Sequence, residues 1–101
     1  MRSNGKRAGR TEPAATQKQT EQLGAALRQR RKVLGLTQEQ LGALAGCGLA
    51  FLYQVEQGKP TVRLDKLLAV MRVLGLRFAL EDGRDSLRVD ASFRDPIDDK
   101  R

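Results

Sequence analysis

The chain has 101 residues, with no histidine and a single cysteine. Composition therefore excludes a histidine–cysteine metal site and an intrachain disulfide. The sequence also holds no phosphate-cradling glycine loop and no nucleophile–base set, so no enzyme is expected and no cofactor. What remains is hydrogen bonding by amides and hydroxyls, and attraction by cations. Such groups gather in one stretch, Cys47 to Lys59, which reads CGLAFLYQVEQGK. The Gln54 amide has the geometry for a bidentate bond to an adenine edge, and Tyr53 offers one hydroxyl. Yet Leu49, Ala50, Phe51 and Leu52 beside them are apolar, which is unusual company for base-reading groups. Whether this stretch is a reading helix or a core helix depends on the elements around it.

Those elements read as four helices and one strand. Order is expected to begin near Thr20, read as an N-cap. Leu23, Ala26, Leu27 and Leu34 then form the apolar face of a first helix, with Gly35 ending it. Thr37 caps a short second helix, QEQLGALA, whose buried side is Leu41, Leu44 and Ala45. Gly46 ends that helix, and Cys47-Gly48 make a tight connection. The third helix runs from Leu49 to about Gln57 and closes at Gly58. Thr61 caps the approach to a fourth helix over about 63–74. Its residues Leu64, Leu67, Leu68, Met71 and Leu74 recur with helical period, and Gly75 stops it.

Beyond Gly75 the period changes to two. Leu76, Phe78 and Leu80 alternate with Arg77, Ala79 and Glu81, the pattern of a half-buried strand over 76–81. A lone strand leaves its backbone groups unpaired. The same strand of a second copy, across a two-fold axis, is the simplest partner, so a homodimer is expected. The fold class is thus mostly all-α: a compact four-helix domain followed by one C-terminal strand that pairs across the dimer. Residues 1–19 lack a hydrophobic period and read as a disordered basic arm. Residues 20–81 form the domain, and 82–101 read as a flexible polar tail.

Net charge is +7, carried as +4 on residues 1–20, +4 on 21–81 and −1 on 82–101. That excess favours a polyanionic partner, most often nucleic acid. The basic N-terminus has no apolar stretch behind it and is not a secretory signal. No segment approaches the roughly 18 apolar residues that a membrane span needs. A cytoplasmic protein without a membrane partner is the expectation.

The second and third helices with their turn, TQEQLGALAGCGLAFLYQVEQGK, have helix-turn-helix spacing. Gly42 sits where two helices cross closely and Gly46 sits at the turn. Leu41, Ala45, Cys47, Leu52 and Val55 fall on the inner side. Cys47 reads as a buried, inert thiol. The stretch Arg31 to Lys59 resembles the helix-turn-helix of the Cro and phage-repressor superfamily, the XRE family. The match covers about 55 residues with the first and fourth helices and rests on Thr37-Gln38-Glu39, Gly46, Glu56 and Gly58. The run GKPTVRLDKLLAVMRVLGLRFALED further resembles HipB-type antitoxins, which implies a HipA-like serine/threonine kinase toxin as partner. By the XRE resemblance, Gln38 contacts phosphate and braces the reading helix. The same resemblance implies that Arg31 and Glu56 form an ion pair between the first and third helices.

Placed on that pattern, the third helix turns Leu52 and Val55 inward and Gly48, Leu49, Ala50, Tyr53 and Gln54 toward a DNA groove. Leu49 and Ala50 can touch only apolar groups, chiefly thymine methyls, and Phe51 has no evident place. Gln38, Lys59, Arg63 and any free part of Arg31 are phosphate-contact candidates. Two subunits would set two reading helices about 34 Å apart on a near-palindromic operator. The expected function is a dimeric DNA-binding repressor, as an antitoxin that autoregulates its operon and holds the kinase. The alternatives are a stand-alone XRE-type regulator, and a protein-binding module that uses Leu49, Phe51 and Tyr53 and binds DNA weakly.

Overall fold

The computed structural model describes residues 3–83 and 87–89, with side chains from residue 14 onward. Four helices follow in order: α1 (Ser3–Val33), α2 (Gln38–Ala45), α3 (Leu49–Glu56) and α4 (Leu64–Leu74). Helix α1 packs on α3 and α4, and α2 packs on the same two. A single core lies between them, built from Leu27, Leu41, Cys47, Leu52, Val55, Leu67, Val70, Met71 and Leu74. No helix is long and apolar enough to cross a membrane among the described residues.

The four helix ends share one device. Gly35, Gly46, Gly58 and Gly75 all have positive φ. At each, the glycine N–H and the next N–H bond back to carbonyls three and five residues earlier, as in Leu36 to Arg31 at 3.1 Å and Leu76 to Met71 at 2.8 Å. This is the Schellman closure, which satisfies carbonyls the helix leaves unpaired. At the start of α2, the Thr37 side chain accepts from the Gln40 N–H, and the Gln40 side chain accepts from the Thr37 N–H. That reciprocal box satisfies two orphan donors and fixes where α2 begins.

Several expectations change. Thr20 is not an N-cap: α1 is helical from Ser3. The Thr20 hydroxyl lies 3.0 Å from the Gln17 carbonyl and 2.7 Å from the Gly58 carbonyl. Thr61 caps nothing, since the residue before α4 is Arg63. Leu34 falls past the end of α1, and Leu44, Leu64 and Leu68 are exposed. The apolar stripe on α4 is wider than its neighbours can cover, so Leu67, Val70, Met71 and Leu74 are the residues that turn inward. Met71 is core, as its spacing predicts.

Residues 76–81 form neither helix nor strand in the single chain. A strand whose only partner is a second copy has no ladder to join within one subunit. Leu76 packs against the core, whereas Phe78 is 41% exposed and Leu80 fully exposed. Most of the tail, 82–101, lies outside the described residues. Within it, the Leu87 carbonyl accepts from the Gln22 amide at 2.9 Å, and Arg88 pairs with Glu81 at 2.7 Å.

Candidate nucleic-acid interface

The inner side of α3 is held by α1 through groups that leave no slack. A Cβ on Gly24 would lie 2.4 Å from the Val55 carbonyl oxygen and 2.8 Å from that of Glu56. A Cβ on Gly58 would meet the Glu21 backbone at 2.7 Å. The two helices therefore touch backbone to backbone. A glycine inside a helix costs about 1 kcal/mol relative to alanine, so one in that position signals a packing need. Gly24 was the residue that could be found that way, and helix periodicity alone overlooks it. Gly42 has the same role at the turn, where its Cβ would lie 3.1 Å from the Gly48 backbone.

Below that contact is a buried ionic cluster. Arg31 donates to Glu56 through Nε at 2.7 Å and Nη2 at 3.0 Å. Its Nη1 donates to the Leu36 carbonyl at 2.8 Å. Gln38 adds a bond from Nε2 to Glu56 Oε1 at 3.0 Å. Both charged side chains are almost completely buried. Glu56 thus ties α1, α2 and α3 together. Three of the five N–H donors of Arg31 are used in this way, and its side chain is 9% exposed. A buried pair of this kind is a weak source of net stability, but removing one partner is costly because the other charge is left uncompensated.

The outer side of α3 carries no such duties. Leu49 is 50% exposed and Tyr53 is 56% exposed, and Ala50 and Gln54 are also exposed. At about 100° per residue these four fall within one arc of about 140°. Leu52, Val55 and Glu56 fill the opposite arc and are buried. Gly48 precedes the helix with φ +85° and no side-chain cap. Glycine is needed there for the backbone conformation, since a Cβ would have open space. Phe51 turns sideways rather than outward. It is partly buried against the core, with Lys66 Nζ 5.9 Å from its ring centre.

Flanking this face are cations in different states. Lys59 is exposed just past the end of α3. Arg63 is exposed but forked onto Asp65, at 3.1 Å and 2.6 Å. The hydrogen bond from Arg63 is the main reason the Asp65 carboxyl is held below its ordinary range. Burial pushes the Cys47 thiol up, against a smaller opposing pull from Lys66. A neutral thiol in the core is inert.

Two short helices joined at a tight glycine turn, the second buried on one side and open on the other, define a helix-turn-helix. The family model for the helix-turn-helix domain matches residues 22–88, and the chain belongs to that family. It is also 43% identical over 53 residues to y4mF, an HTH-type transcriptional regulator of Sinorhizobium fredii. That match covers 52% of this chain and 70% of the relative. In DNA-binding members of this motif class the second helix enters the major groove.

Proposed function

We propose that the chain is a DNA-binding transcriptional regulator that works as a dimeric repressor and presents α3 to the major groove. The observation that carries this reading is the division of α3. One arc is fully committed to the core, and the other leaves Leu49, Ala50, Tyr53 and Gln54 open. Gln54 supplies the adenine-type bidentate contact, Tyr53 a hydroxyl, and Gly48 close backbone approach. Lys59 and Arg63 meet phosphates beside the helix, and Gln38 does so while braced by Glu56. The charge of +7 adds salt-dependent affinity.

Dimerisation uses residues 76–81. The exposure of Phe78 and Leu80 in the single chain supports a partner strand there. A two-fold pair of reading helices would call for a near-palindromic operator with half-sites about 34 Å apart. The resemblance of residues 58–82 to HipB-type antitoxins supports an autoregulating antitoxin in the cytoplasm, with a HipA-like kinase as protein partner. Without that partner the same chemistry describes a stand-alone regulator. A protein-docking face of Leu49, Phe51 and Tyr53 is less well supported, because Phe51 packs against the core beside Lys66.

Fluorescence anisotropy tests the proposal. A duplex from immediately upstream of the gene is compared with a scrambled duplex at about 150 mM salt. The expected preference is 10³-fold or more, in the range of specific regulators. Equal, weak and strongly salt-dependent binding to both duplexes would contradict it.

A further inference from the structure

The N-terminal half of the reading face has an unusual composition. Gly48 has no side chain, and Leu49 and Ala50 present only carbon. The first hydrogen-bonding side chain on the outer arc is Tyr53. The N-terminal residues of a reading helix are those that meet base edges, so this half of the site has no side-chain donor or acceptor for them. Leu49 also lies outside the buried core of the single chain. Half of it is exposed, while Leu27, Leu41, Leu52, Leu74 and Val70 fill the core.

We infer that Leu49 and Ala50 recognise pyrimidine C5-methyl groups, and that each half-site places such methyls beside an adenine bound by Gln54. This inference rests on the DNA-reading proposal above and specifies its ligand. The thymine methyl is the apolar group that the major groove displays. Thymine and 5-methylcytosine carry the same methyl and differ in the exocyclic group beside it, an acceptor in one and a donor in the other. An all-carbon contact surface has no means of reading that difference. At these positions a methylated cytosine therefore substitutes for thymine, and an unmethylated cytosine does not. Occupancy of the operator would then respond to cytosine methylation at the positions facing Leu49 and Ala50.

The test uses the full chain and a duplex that the purified protein itself selects from a random pool. Each thymine of one half-site is replaced singly by deoxyuridine, which removes the methyl and leaves every hydrogen-bonding group in place. Affinity is expected to fall about fourfold at the positions under Leu49 and Ala50, the effect of one buried methyl, and to hold elsewhere. Cytosine at those positions weakens binding, and 5-methylcytosine restores most of it. Leu49→Ser abolishes the thymine–deoxyuridine difference at its own position while the other position keeps it. Specific binding that is indifferent to every deoxyuridine replacement would overturn the methyl reading and leave the DNA-reading proposal intact. Failure of the pool to yield any preferred duplex would overturn both.

Discussion

The two sides of α3 are built from the same eight residues and work under opposite constraints. On the inner side Leu52, Val55 and Glu56 are buried, α1 lies at backbone contact through Gly24, and Glu56 accepts three hydrogen bonds. On the outer side Leu49, Ala50, Tyr53 and Gln54 are exposed. Under the proposed function, the difference separates stability from recognition within one short helix. The inner side sets where the helix sits, and the outer side is free to vary with the partner it meets.

That separation can be broken at several points. The largest effect is expected at Glu56. Glu56→Ala leaves Arg31 buried without its carboxylate, and stability should fall by about 3–5 kcal/mol. A chemical-denaturation curve with less than about 1 kcal/mol of loss would show the cluster to be dispensable. Gly24→Ala comes next, since its Cβ meets backbone carbonyls that cannot rotate away. A loss of about 1–3 kcal/mol is expected, seen as a fall in Tm of at least about 4 °C for a domain of this size. An unchanged Tm would mean that α1 and α3 are not held so close. Phe78→Lys tests the exposed segment beyond α4. It should convert a dimer to a monomer by light scattering with little change in helix content by circular dichroism, and an unchanged mass would remove the strand pairing. The smallest effect is expected at the surface pair. Asp65→Asn releases Arg63 and removes one negative charge, so DNA affinity should rise a few-fold at low salt and converge with the parent's as salt increases. No change at any salt would show that Arg63 lies away from the DNA.

Much of this division was legible in the residues themselves. The four terminal glycines mark the helix ends because a left-handed closure needs a residue without a Cβ, and α2 runs over the expected Gln38–Ala45. Leu52 and Val55 face inward as helical spacing requires, and Cys47 in the turn is buried with them. The misreadings have physical causes. Leu44, Leu64 and Leu68 fit the apolar period, but period does not say how wide a face the neighbouring helices can cover. Thr20 and Thr61 have capping chemistry, but a hydroxyl can equally serve a tertiary contact, as Thr20 does with Gly58. Helical period does not mark Arg31 for a buried pair, and only the resemblance to a known family implied its pairing with Glu56. Phe51 could not be placed because its partner, Lys66, lies on another helix.

The most direct test of the account is a paired measurement on Tyr53→Ala: operator affinity by anisotropy and thermal stability by circular dichroism on the same preparation. A surface substitution with no packing role should stay within about 0.5 kcal/mol of the parent. The account therefore predicts a Tm within about 4 °C of the parent's and a loss of operator affinity of about tenfold or more, in the range of one lost base contact. Unchanged affinity, or a large fall in Tm, would contradict the claim that the open side of α3 reads DNA and holds nothing together.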